Sequence, residues 1–302
     1  MFSFINWFGS IFEKTKKNKG LWFTLLTFFS LAGIFISLGF VNFLVSDVAE
    51  KTYHNQKIRY SLNLKSHLKS KSAFVLSNAI SMAQDESLKA LILSEDINKS
   101  IKLDTKMKSA TARLNKYLNS KYLKFILEPT LKAEVKNGVR VFGDGVAFSA
   151  SIPLVSNEDK TTNLLFRDSI LSMVDTFNLQ NKKFVFLLNQ SAMSQINIDF
   201  KGNYEAINKT YFLKKEAYEK IYTDSLKNLD FEKLEESGHY RGLNFFYVGE
   251  KLYDSHGVDI GIIVLAENVS DDNSFVNLVK NLVNSVTMVA LGLIVSMILF
   301  LF

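Results

Sequence analysis

Two long uncharged stretches bracket this chain. No residue from Leu21 to Ser46 (LWFTLLTFFSLAGIFISLGFVNFLVS) carries a charge, and the same holds from Asn281 to Phe302 (NLVNSVTMVALGLIVSMILFLF). Helices of these lengths, rising about 1.5 Å per residue, cross a hydrocarbon core of about 30 Å. In lipid the backbone amides must bond within the segment, so the helix is the form expected. Each stretch is therefore read as a membrane span. The first is too long for a signal-peptide core, and no small-residue cleavage pattern follows Val45, so it is expected to stay as an anchor.

Between the spans the hydrophobic period changes twice. From Phe40 to Glu128 there is neither glycine nor proline, and Leu64, Leu68, Val75, Ala79 and Met82 recur at helical spacings. This predicts a long helix growing out of the first span, a break with recapping at Asp85-Glu86-Ser87, and more helix through Leu114 to Leu118. Beyond Tyr122 the period becomes two: Val146, Phe148, Ala150, Ile152 and Leu154 alternate with small or polar residues. Asn137-Gly138 and Gly143-Asp144-Gly145 supply turn residues. Asn163 to Phe166 predicts a further strand, Ser169 to Leu179 a helix capped by Asp168, and Lys183 to Leu188 a buried strand sharing that first core. An amphipathic helix around Leu213 to Leu226 then opens a second, smaller unit. It closes through Leu243 to Val248, a turn at Asp254-Ser255-His256-Gly257, and Ile260 to Leu265. Ser270, Asp271 or Asp272 can cap a helix beginning near Asn273 and leading into the second span.

The resulting expectation is an α+β fold: a long N-terminal helix packed on antiparallel sheets and flanked by two transmembrane helices. Its segments are a cytoplasmic tail (1–20), the first span (21–46), the long helix with a first sheet unit (47–205), a smaller membrane-proximal unit (206–272), and the second span (273–302). Lys14, Lys16, Lys17 and Lys19 precede the first span and hold that end in the cytoplasm, so the central segment is expected outside. Phe4, Phe8, Ile11 and Phe12 share one helical face, as an interfacial helix requires, and a disordered tail fits the same residues equally well.

Composition changes this picture little. The net charge is +6, but the lysines are dispersed rather than blocked together, which argues against a nucleic-acid partner. Cysteine is absent, and His54, His67, His239 and His256 stand at no metal-ligand spacing, so neither a disulfide framework nor a metal site is expected. No GxSxG, P-loop or HExxH motif occurs, and neither an enzyme activity nor a cofactor is expected. A solute pocket needs apolar walls and a few convergent polar groups. In the first sheet unit Arg140, Asp144, Phe148, Arg167, Phe186 and Asn189 answer that description, the arginines because their fork holds a carboxylate. Each also has a plainer reading, as a surface ion pair or a core aromatic. Near the end, Tyr247, Tyr253, Asp254 and His256 gather around the last hairpin.

The order of elements resembles the Cache-type sensing domains of bacterial chemoreceptors and sensor kinases, double-Cache arrangements included, whose sheets are PAS-like. The similar stretches are SNAISMAQDESLKALILSED on the long helix, VRVFGDGVAFSASIPL and RDSILSMVDTFNLQNKKFVFLLN in the first sheet unit, and FFYVGEKLYDSHGVDIGIIVLAENVS at the end, covering about residues 47 to 270. The resemblance implies an inner-membrane, two-pass protein whose periplasmic domain holds a small solute such as an organic acid. It also implies a homodimer along the long helix and a signal carried by the second span. The arginine-then-tryptophan pattern by which such domains commonly hold amino acids is missing. The chain ends inside the second span, so either a separate signalling partner supplies the output or the chain is a receptor fragment. A different class remains beside this one: a membrane-anchored adaptor whose outer domain binds another protein.

Overall fold

The structure, a computed structural model, describes residues 19–94, 98–130, 134–157, 160–269, 279 and 281–292. The chain divides into two units: residues 1–55 with 272–302, and residues 56–271. Helix α1 runs from Lys19 to Ala83, and its residues up to 55 belong to the first unit. There Thr52 Oγ1 donates to the Val48 carbonyl at 2.7 Å and Lys51 pairs with Asp47 at 2.8 Å. Residues 281–292 are also helical, with Thr287 Oγ1 donating to the Val283 carbonyl at 2.8 Å. Among the described residues no helix is long and apolar enough to cross a membrane. The tail to residue 18, the side-chain surroundings over much of 21–46, the expected cap at 270–272 and most of the expected second span lie outside the described residues.

The second unit is α+β, as the change of period predicts. Tyr60, Leu64, Val75, Ala79 and Ala83 form the buried stripe of α1, and its polar face stays in water. The helix ends at Ala83 and the chain recaps at once. The Asp85 carboxylate accepts from the Ser87 and Leu88 amides to start α2 (Glu86–Leu93), and α3 (Lys99–Tyr117) follows. Strands β1 (Leu123–Thr130), β2 (Lys136–Phe142), β3 (Gly145–Asn157) and β4 (Lys160–Ser169) make a four-stranded antiparallel sheet in the order β1-β4-β3-β2. The alternation along β3 is expressed directly. Phe148, Ala150 and Ile152 share one face with Phe166 and Leu164, and α1 covers that face where Phe74 lies 6.3 Å from the Phe166 ring. Ala147, Ser149 and Ser151 occupy the other face with Arg167.

After α4 (Ser172–Asn178) the chain builds a second antiparallel sheet of six strands. It contains β5 (Lys183–Asn189), then the short helices α5 (Gln190–Ser194) and α6 (Ile198–Lys201), and the strands β6 (Tyr204–Ala206) and β7 (Tyr211–Lys214). Helices α7 (Lys220–Leu226) and α8 (Phe231–Ser237) lead to β8 (His239–Arg241), β9 (Phe245–Tyr253) and β10 (Asp259–Asn268). The order is β6-β7-β5-β10-β9-β8. Strand β5 is apolar on both faces because both are covered. Val185 and Leu187 pack with Tyr222, Leu226 and Leu234 of α7 and α8. Phe184 stacks on Phe177 of α4, with 5.6 Å between centroids.

Four details differ from the sequence reading. Lys183–Leu188 pairs with β7 and β10, so it belongs to the second sheet rather than the first; a run buried on both faces declares its depth but not its neighbours. Asn137-Gly138 lies inside β2 instead of forming a turn. Residues 211–214 form a strand before α7 starts, so the helix expected from Leu213 begins only at Lys220. Asp168 caps nothing: it sits in β4, buried, and pairs with Lys71 of α1 at 2.9 Å.

Candidate functional site

The β2–β3 hairpin turns through Gly143 and Asp144, and Gly145 opens β3 with φ +145°. That conformation is strained for any residue with a Cβ. A Cβ at position 145 would stand 3.4 Å from the Tyr204 hydroxyl and 3.9 Å from Lys214 Nζ, so the second sheet comes close to this turn. Around the turn is a cleft of about 290 Å3, lined by Lys121, Tyr122, Lys124, Asp144, Gly145, Val146, Ala147, Arg167, Ser169, Leu171 and Lys214. Four cations there face one carboxylate, which leaves three positive charges unmatched. A concave surface with charge of one sign concentrates its field on ions of the other.

Asp144 and Arg167 form the centre of the cleft. Arg167 Nη1 donates to Asp144 Oδ1 at 3.0 Å and Nη2 to Oδ2 at 2.9 Å, the bidentate geometry in which a guanidinium holds a carboxylate best. Lys124 stands 3.4 Å from the same carboxylate. Burial alone would raise the Asp144 carboxyl, but Arg167 and Lys124 outweigh it and hold the group below the usual carboxylate range. Arg167 is 13% exposed and its guanidinium lies 4.8 Å from the centre of the Phe142 ring, which Arg140 approaches at 5.3 Å. Small residues on β3 permit this reach: Ala147 and Ser149 stand between the two arginine-bearing strands. Tyr204, close behind the turn, is pushed up to about 12 by burial and then by the Asp144 charge.

Of the six candidate residues, three come together here: Asp144 and Arg167 in the cleft and Arg140 beside it across Phe142. The others do not. Phe148 is fully buried on the helix-covered face. Phe186 is buried in the second sheet, near the floor of the cleft. Its amide donates to the Tyr218 hydroxyl at 3.2 Å, and burial raises that phenol well above its ordinary value. Asn189 caps α5 by accepting from the Ala192 amide at 2.8 Å and donates to the Asp259 carbonyl at 2.8 Å, so its amide is committed to structure. The group at the last hairpin also separates. Tyr247 is buried, its hydroxyl donating to Ser225 at 2.9 Å, whereas Tyr253 and His256 are exposed.

The sequence reading missed Lys121, Lys124 and Lys214. Lys124 had a legible signal, since it alternates with Leu123 and Phe125 on a strand and must face away from their core. Lys214 had none while its segment was read as helix. A second cleft of about 360 Å3 lies between α1 and the α3–β1 connection and contains the Lys71–Asp168 pair. Its charges are balanced, so it does not select an anion. Among the described residues no group of three or more histidine, aspartate and glutamate side chains could hold a metal ion. A scan against protein-family models finds no match for the chain, and a search of curated proteins finds none either.

Proposed function

We propose that this chain is a two-pass membrane sensor of the Cache type whose outer domain binds a small anionic solute, an organic acid, in the cleft around Asp144 and Arg167. The observation that carries the reading is the excess of cations in a concave site built around an arginine already shaped for a carboxylate. At about 290 Å3 the cleft falls at the small end of the range for ligand sites, which fits a metabolite rather than a peptide. The uncharged segments 21–46 and 281–302 support membrane insertion, and the lysines before the first support a periplasmic outer domain. In this reading the second span passes the signal to a separate partner, two copies pair along the long helix, and no reaction is catalysed. The adaptor alternative would draw on exposed apolar residues such as Ile58 and Leu62, one turn apart on α1, and Ile198 and Phe200 of α6, whereas Leu179 and Leu243 stand apart from these.

The test is a thermal-shift screen of the intact chain in detergent against organic acids, amines and purines. A ligand present at about 100 times its Kd stabilises the fold by about 2.7 kcal/mol. Acids are expected to raise the melting temperature, while amines and purines leave it unchanged. No response to any acid at millimolar concentration would refute the reading.

A further inference from the structure

Asp144 occupies the fork of Arg167 in the manner expected of a ligand carboxylate, through two parallel N–H···O bonds of 3.0 and 2.9 Å. The two partners are held very differently. Arg167 rises from the middle of the four-stranded sheet and is fixed against the Phe142 ring. Asp144 sits in a two-residue hairpin turn between two glycines and is 32% exposed, so it can swing into water and remain charged. Its second cation, Lys124, is 3.4 Å away and 55% exposed, and a lysine that exposed restrains it weakly.

We propose, building on the sensor reading, that Asp144 is an internal stand-in for the ligand and that the ligand is a small dicarboxylate which displaces it from Arg167. One ligand carboxylate takes over the planar fork, because a group of the same shape and charge is already accepted there. The second carboxylate is required by the charge balance: once Asp144 has left, Lys121, Lys124, Arg167 and Lys214 face the cleft without an acidic partner in its lining. A monocarboxylate would restore only the charge that Asp144 already supplies, and would gain little from the exchange.

The exchange also has a route out of the cleft. The carbonyl of Gly143, next to Asp144, accepts from the Asn197 amide at 2.9 Å, and Asn197 belongs to the α5–α6 connection of the second sheet. A turn released from Arg167 moves with that carbonyl, so binding in the cleft loosens this inter-sheet bond.

The experiment is calorimetric titration of the intact chain in lipid nanodiscs with succinate and, separately, with acetate. Competition from Asp144 lowers the apparent affinity by the fraction of molecules in which Arg167 is free. If that fraction is about a tenth, Asp144→Asn binds succinate about tenfold more tightly than the parent, Arg167→Gln binds it at least about tenfold more weakly, and acetate binds weakly throughout. Asparagine suits the turn and keeps the size of the side chain. A parent that binds succinate while Asp144→Asn binds it equally or more weakly overturns the displacement but leaves the sensor reading standing. A cleft that binds acetate and not succinate overturns the dicarboxylate assignment alone. Hydrogen exchange on the parent gives an arm that needs no variant: saturating succinate is expected to deprotect the Asn197 amide, and unchanged protection at saturation overturns the displacement.

Discussion

Asp168 and Asp144 lie 24 residues apart in the chain, and their surroundings drive them in opposite directions. Asp168 is 1% exposed, and burial raises its carboxyl in spite of the lysine beside it. A raised acid favours the fold in its protonated form, so its contribution is present below its unfolded value near 3.8 and is lost as pH climbs through the folded value. Asp144 and Asp85 are lowered, Asp85 to about 2 by the Ser87 hydroxyl and then Lys106, so their contributions are present above about 3.8 and are lost as pH falls. Lys71→Met would leave a buried carboxylate without its counter-ion, which costs about 3 kcal/mol at neutral pH. Urea titration is expected to show that loss at pH 7 and a smaller one under mildly acidic conditions, where the carboxyl takes up a proton. An equal loss at both would mean that the pair contributes packing alone. Sequence identifies Asp168 as acidic but not as buried, because its partner stands 97 residues earlier on another element.

Among the elements, β10 carries the tightest constraint. Gly261 has φ +148°, a bulge separates it from Asp259, and a Cβ there would collide with the Leu187 carbonyl of β5. The collision is with backbone at the centre of the six-stranded sheet, where no side chain can move aside. Gly261→Ala is therefore expected to lower the unfolding free energy by more than about 1 kcal/mol, the ordinary scale of a glycine substitution. A chemical denaturation midpoint matching the parent would refute it. The elements themselves were largely legible. The long helix, its recapping at Asp85, the strands around Val146–Ile152 and the last hairpin all follow from periods of 3.6 and 2 and from turn residues. What escaped was partnership. Lys183–Asn189 reads as a buried strand from its composition, but its place between β7 and β10 is set by contacts with residues up to 83 positions away, as from Lys183 to Ala266. In the same way Arg140, Asp144 and Arg167 were recoverable from residue chemistry, whereas the lysines completing the cleft come from β1, its preceding turn and β7.

For the whole molecule, the absence of cysteine makes topology directly measurable. Leu243 is 98% exposed in the unit 56–271, so Leu243→Cys gives a single reactive thiol. Under the proposed orientation a membrane-impermeant maleimide labels it from the periplasmic side of intact spheroplasts, and labelling only after lysis would reverse the orientation. The two sheets within that unit are joined along β2: just past its C-terminal end the Asn197 amide donates to the Gly143 carbonyl, and at its middle the Ser255 amide donates to the Val139 carbonyl at 2.8 Å. Since β2 is one of the two edge strands of its sheet, the second of these bonds matters beyond the join. The tip of the β9–β10 hairpin lies against a border that would otherwise offer its backbone to a strand from another chain. The neighbouring sheet thus shields one border of an open four-stranded sheet, and cutting that hairpin would invite chain-to-chain adhesion before it impaired the cleft.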